Sequence, residues 1–215
     1  MNNGYEGFAH LLLRGEGMSL IYGIGVNDLK YPSMVGGKEL KEYALWVKML
    51  QRCTNSLWKI QPTYSECTIS ENFKNYSYFY EWCQSQVGFK NKDEHDRYWH
   101  LDKDLLIKGN KVYSESTCIF VPQRLNSLLT SCNVTRGDTP IGVARQKRGL
   151  AFRARCSNSR GKDICLGSFD NIDSAFQAYK TFKEALIKDV ANEYKEQMDS
   201  RAYQALMSYR VEITD

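Results

Sequence analysis

No two of the seven cysteines in this chain form a C-x-x-C pair, the spacing that small zinc modules and thiol-exchange motifs use. A four-cysteine zinc site from Cys53, Cys67, Cys83 and Cys118 would match no common spacing, so zinc is not expected. Cys132, Cys156 and Cys165 complete an odd set, which reads as reduced thiols in a cytoplasmic chain. The amino terminus lacks the basic, apolar, small-residue order of a secretory signal. The longest early apolar run, FAHLLL at residues 8–13, is far shorter than the roughly 20 residues that span a bilayer, so no membrane partner is expected. Gly23-Ile24-Gly25 is not followed by a third glycine at the right distance, and no dinucleotide fingerprint results. His10 and His95 have no ligand or catalytic partner at a recognisable spacing.

Apolar residues are 42% of the chain and charged residues 25%, the balance of a folded protein rather than a disordered one. With 215 residues there is material for one large core or two small ones. Residues 1–37, with GYEGF, RGEGM, YGIGV and VGG, read as a glycine-rich arm or a small sheet with turns. Residues 38–52 (KELKEYALWVKMLQR) place Leu40, Tyr43, Ala44, Val47 and Leu50 at helical spacing. A second helix is expected over residues 70–86, capped by Ser70, with Phe73, Tyr76, Phe79, Tyr80 and Cys83 as its stripe. Those aromatics read as core, with base stacking as the alternative.

Residues 98–126 (YWHLDKDLLIKGNKVYSESTCIFVPQRLN) follow. Leu101, Lys103, Leu105 and Ile107 alternate with His100, Asp102 and Asp104, predicting a strand whose polar face carries the histidine and both aspartates. Lys103 falls on the opposite face. Gly109-Asn110 is a turn signal, residues 112–121 read as the second strand, and residues 123–130 can start a helix after Pro122. On one strand face, His100 could act as a general base while Asp102 and Asp104 hold Mg²⁺. The same pattern also describes a hairpin with a wetted polar face.

Turn formers cluster at residues 132–140, which read as a linker. Beyond it come three short alternating segments with turns at Arg148-Gly149 and Arg160-Gly161, then a helix starting near Asp173. Its stripe is Ala175, Phe176, Tyr179, Phe182, Leu186 and Val190, and a further short helix is expected after residue 196. Between Gly142 and Ser168 stand Arg145, Lys147, Arg148, Arg153, Arg155, Arg160 and Lys162 against a single acid, Asp163. That local excess of +6 exceeds the +4 of the whole chain, so the positive charge is concentrated in the predicted sheet. In AFRARC, Arg153 and Arg155 lie on one face and Phe152, Ala154 and Cys156 on the other. An arginine face backed by an apolar one suits duplex DNA, whose major groove admits β-strands. An ordinary solvated basic surface is the alternative.

The segment IGVARQKRGLAFRARCSNSRGKDICLGSFDNIDSAFQAYK resembles an AP2-type DNA-binding domain, chiefly in LGSFD and the SAFQAY that follows. The resemblance implies a three-stranded sheet that reads DNA with a helix behind it, and Arg145, Arg153 and Arg155 as the leading contacts. The tryptophans of plant members are absent from the sheet. Residues 101–126, with LDKD, GN, YS, FVP and a final Asn, resemble the HNH units found beside AP2-type domains in phage genomes. That implies a ββα-metal unit, Mg²⁺ or Mn²⁺ as cofactor, His100 as base, and Asp102, Asp104 and Asn126 around the metal. Lys103 follows Asp102 where the common motif has its histidine, and the central asparagine position falls near Thr117.

The expected architecture is α+β: an arm (1–37), an HNH-like domain (38–131), a linker (132–140), an AP2-like domain (141–195) and a tail (196–215). The expected function is that of a phage-encoded, metal-dependent endonuclease or nickase of homing type, acting on double-stranded DNA in an infected bacterial cytoplasm. Its alternatives are a DNA-binding regulator with a decayed nuclease unit and a phage protein that binds a host defence factor.

Overall fold

Paired glycines, an asparagine cap and one aspartate decide where the regular elements of this chain start and stop. The computed structural model describes residues 20–54, 64–130, 138–146 and 151–215. The chain is α+β and divides into two compact units, Met1–Glu81 and Trp82–Asp215. Among the described residues no helix is long and apolar enough to cross a membrane.

In the first unit, strands β1 (Met34–Val35) and β2 (Lys38–Glu39) pair antiparallel around Gly36 and Gly37. Both glycines have positive φ, +57° and +75°, as a two-residue hairpin requires. Lys38 and Glu39 are spent on this pairing, so helix α1 (Lys41–Arg52) starts later than the periodicity suggests. Its buried residues are Trp46, Met49 and Leu50, while Val47 is only half-buried. The Trp46 indole donates to the carbonyl of Phe73 at 2.8 Å, which turns this face inward. After β3 (Thr68–Ile69), the expected second helix is broken in two. A 3₁₀ turn, Asn72–Lys74, is followed by an extended Asn75 and then α2 (Tyr76–Ser85), in which the first unit ends. Ser70 Oγ accepts from the Phe73 N–H at 3.4 Å, and Asn75 Oδ1 accepts from the Tyr78 N–H at 3.1 Å, so each piece has its own cap. Phe73, Tyr76, Phe79 and Cys83 are fully buried and belong to the core. Tyr80 is half-buried and stacks on Tyr31 at 4.1 Å.

In the second unit, β4 (His100–Asp102) pairs antiparallel with β6 (Ile119–Val121). The loop between them contains β5 (Val112–Tyr113) and the Gly109 turn, with φ +79°. The strand expected through Ile107 therefore ends at Asp102, and the second strand is interrupted between Ser114 and Thr117. Helix α3 (Gln123–Leu129) follows Pro122 and buries Leu125 and Leu128. Strands β7 (Val143–Arg145), β8 (Phe152–Ser157) and β9 (Asp163–Phe169) form one antiparallel sheet in that order. It packs on α4 (Ile172–Glu193), whose first turn is capped by Asn171 Oδ1 at 2.8 Å from the Ser174 N–H. Helix α5 (Ser200–Ser208) packs on α4 in turn. The sheet core joins Val143, Phe152, Ala154 and Cys156 to Ala175, Phe176, Tyr179 and Val211. A Cβ added at Gly142 would lie 2.0 Å from the Tyr179 ring, so the sheet approaches the helix as closely as glycine permits. The turn expected at Arg148-Gly149 and residues 132–137 of the expected linker lie outside the described residues.

Candidate nucleic-acid interface and hairpin site

The charge cluster becomes a surface through strand alternation. β8 reads buried, exposed, buried, exposed from Phe152 to Ser157, which puts Arg153 and Arg155 on the face away from α4. A bulge in the β8–β9 register pairs Ala154 with Gly167 and Arg155 with Cys165. The skipped residue, Leu166, packs against the core, and Cys165 is exposed beside Arg155. Arg153 pairs with Ser168 on one side and Ala144 on the other. Its neighbours are small, so a ligand can approach both guanidiniums closely. Gln146 Nε2 donates to Ser168 Oγ at 2.7 Å and spans the face from β7 to β9. Arg155 is ion-paired with Asp163.

Arg145 stands apart from Arg153 and Arg155. It lies in register with Phe152, a core residue, and its guanidinium sits 5.0 Å from the Phe152 ring centroid. Alternation thus removes it from the Arg153–Arg155 face, although it remains exposed at the strand end. Arg160 and Lys162 are exposed in the β8–β9 turn. Asn158 Oδ1 shapes that turn by accepting the N–H groups of both, at 3.0 and 2.8 Å. Lys147 and Arg148 lie outside the described residues.

In the hairpin, His100 is in register with Val121, and Asp102, two residues on, shares its side of β4. Asp102 is 8% exposed. Its Oδ1 accepts the N–H groups of Asp104 at 3.0 Å and Leu105 at 2.8 Å, which turns the chain out of the strand. Asp104 therefore does not share a strand face with His100 and Asp102. Burial pushes the Asp102 carboxyl up to about 6, and the neighbouring Asp104 charge adds to the effect, while the two backbone bonds oppose it. Lys103 is buried rather than pointing to an open face. Its Nζ lies 3.2 Å from Asp104 Oδ2, donates to the Asn110 carbonyl at 2.9 Å, and sits 5.8 Å from the Tyr113 ring centroid. Asn110 does more than make a turn. Its Nδ2 donates to the carbonyls of Lys103 and Val112, both at 2.7 Å, closing the neck of the loop. Thr117 Oγ1 donates to the Val112 carbonyl at 2.7 Å and braces the other side. Asn126 is half-buried on α3, where its N–H bonds the Pro122 carbonyl.

Comparison with protein-family models, curated proteins and solved structures finds no match to this chain. The site must therefore be judged on its own donors. Among the described residues no group of three or more His, Cys, Asp and Glu gathers to hold a metal ion. Asp102 and Asp104 are hard oxygen donors of the kind Mg²⁺ and Mn²⁺ take, with water completing the shell. Lys103 already balances part of their charge. The thiol of Cys118 is buried, which pushes its pKa up to about 12 and makes it inert at neutral pH. Sequence reasoning missed Lys103, Gln146 and Asn158 as organisers. Lys103 carries no local signal because its partners lie up to seven residues away in a loop. Asn158, two residues before Arg160 and three before Gly161, does carry the signature of an Asx turn.

Proposed function

We propose that this protein binds double-stranded DNA through the outer face of the β7–β8–β9 sheet. The observation that carries the reading is the exposed Arg153–Arg155 pair, flanked by Ala144, Cys165 and Ser168, on a sheet whose other face is buried against α4. Three strands spaced about 4.8 Å apart make a face about 10 Å wide, which matches a major groove about 12 Å wide. The pattern fits the AP2-type resemblance of the segment. Phosphates would compete with Asp163 for Arg155, and Arg160 and Lys162 extend the positive surface along one edge. The test is duplex affinity measured over a range of salt concentrations. Arg153→Ala with Arg155→Ala should cost about 1–3 kcal/mol for each base-reading arginine, or reduce the salt slope by about 1 for each phosphate contact. Binding unchanged by that double substitution would end the proposal.

A second reading adds metal-dependent cleavage by an HNH-like β4–β6–α3 unit. It is favoured by the adjacent carboxylates of Asp102 and Asp104, one of them held well above the usual carboxylate range. A divalent cation would neutralise the pair, and His100 would accept a proton from water. Incubation of supercoiled DNA with the protein and Mg²⁺ or Mn²⁺ should then give nicks. His100→Ala should reduce the rate about 10²–10⁴-fold without loss of DNA affinity. Wild-type protein that binds DNA and never nicks it would leave the hairpin as scaffold, with Lys103 in place of a metal.

A further inference from the structure

A cavity of about 750 Å³ opens on the second unit, and neither Arg153 nor Arg155 lines it. One wall is α3, through Gln123, Arg124 and Ser127; the other is the β8–β9 turn from Ser157 to Gly161; Lys183 of α4 and the loop bearing Glu94, His95 and Arg97 also line it. Two of its cations are already balanced within the chain. Arg97 pairs with Asp93 at 2.8 Å, and Arg124 is forked by Glu193. Lys183 and Arg160 have no carboxylate partner among the described residues, and Glu94 is the only acid lining the cavity. Lys183 is half-buried, and burial holds its ammonium below the ordinary lysine range. Such a cation is costly to keep charged, and the nearby Cys156 thiol offsets only part of that cost. The remaining lining is rich in hydroxyl and amide groups, from Gln123, Ser127, Ser157, Asn158 and Ser159, which suits phosphate oxygens.

We propose that this cleft binds the phosphodiester backbone of a single nucleic-acid strand, with Lys183 and Arg160 as its main phosphate contacts. The proposal rests on the DNA-binding reading for the class of its ligand, and its site adjoins that surface at Arg160 but takes Lys183 and α3 for its walls. The cleft explains three features together: an ammonium half-buried without a partner, two guanidiniums held in fixed orientations, and a polar turn facing a polar helix. Because α3 directly follows β6, a strand seated here lies against the helix of the hairpin unit.

The experiment compares full-length wild-type protein with Lys183→Gln, Ser127→Glu, Gln204→Glu and the Arg153→Ala, Arg155→Ala double variant. Labelled single-stranded and duplex oligonucleotides are titrated at several salt concentrations. Ser127 and Gln204 are both exposed, so neither substitution threatens the fold, and Gln204 lies on α5 outside the cleft lining. Lys183→Gln and Ser127→Glu should each weaken single-strand binding several-fold. Lys183→Gln should also lower the salt slope by about 0.7, while its melting temperature stays level or rises as a buried charge is removed. Gln204→Glu should bind as wild type does. Unchanged single-strand affinity in both cleft variants would overturn the proposal. So would inorganic phosphate or tripolyphosphate binding that depends on Lys183 when oligonucleotide binding does not, since the cleft would then be a small-anion site. If the double variant loses duplex binding while neither cleft variant loses single-strand binding, the cleft fails and the sheet reading stands. If the cleft variants lose single-strand binding while the double variant keeps duplex affinity, the sheet reading fails and the cleft stands.

Discussion

Asp102 shows how one side chain can serve structure and invite chemistry together. Its Oδ1 ends β4 by taking two backbone N–H groups, and its burial beside Asp104 raises its pKa to about 6. An aspartate in an unfolded chain ionises near 3.9. Well below about pH 4 both states hold the proton and Asp102 costs nothing. Between about pH 4 and 6 the unfolded chain ionises first, so stability falls as pH rises; above about 6 the full penalty is present, on the order of 2–3 kcal/mol. Asp102→Asn keeps the accepting oxygen and removes the charge. It should be more stable than wild type at pH 7.5 and equal to it at pH 3.5 in urea titrations, provided no cation is added. Millimolar Mg²⁺ should raise wild-type stability at pH 7.5 and leave Asp102→Asn unmoved if the carboxylate pair binds metal. Cys165 offers a second residue-scale test. It is exposed opposite Arg155, whereas Cys118 and Cys156 are buried with thiol pKa values pushed up by burial. Maleimide should label Cys165 ahead of those two in the native protein, and duplex DNA should slow that labelling if the outer face is the interface. Undiminished labelling under saturating DNA would place the duplex elsewhere.

At the scale of elements, caps and close approaches override periodicity. The run from His100 to Ile107 alternates like a strand, yet the Asp102 turn and the Lys103–Asn110 bonds hold residues 103–110 as a loop. Similarly, Asn75 splits a continuous aromatic stripe into a 3₁₀ turn and a helix. The sheet–helix contact is tightest at Gly142, with φ +76° and no room for a Cβ against Tyr179. Gly142→Ala should therefore destabilise the protein by more than about 1 kcal/mol, read as a lower denaturant midpoint. A Gly142→Ala protein as stable as wild type would show that Tyr179 yields without cost. The Gly142 carbonyl accepts the Arg155 N–H at 2.8 Å, so a shift at Gly142 also reaches the arginine strand.

Across the whole molecule, the hairpin and the sheet share one compact unit and meet through named contacts. Arg124 on α3 is forked by Glu193 on α4, and Trp99, just before β4, packs edge-on to Tyr194 at 5.8 Å. The chain's last residues also take part. Val211 is 3% exposed within the sheet core, and Met198, Ala202 and Leu206 are buried nearby in sequence. Lys108 in the hairpin loop reaches Asp215 at 2.6 Å. A chain shortened after Lys195 should lose at least about 3 kcal/mol, since each fully buried Val, Leu or Met side chain contributes roughly 1.5–3 kcal/mol. Calorimetry would show this as a lower melting temperature, and an unchanged melt would mean that α5 and Val211 add nothing to the sheet core.

The alternation in AFRARC, the 3.6-residue stripe of Phe176, Tyr179 and Val190, and the Arg160-Gly161 turn were enough to place the sheet, its helix and its arginine face. Each depends on a period or a turn rule that acts within a few residues. The α+β class followed from the same local patterns. Tertiary packing alone settled what no such rule reaches. It rotated α1 onto Trp46 through a bond to Phe73, 27 residues away, and set Arg145 apart from Arg153 and Arg155 through its register with Phe152. It also brought Lys103 to Asp104 and Asn110, and gathered α3, the β8–β9 turn and Lys183 around one cleft. Distant side chains meet only when the chain closes its core. The energy that decides their places, chiefly burial and charge compensation, is a property of the closed structure and has no counterpart in any short stretch of sequence.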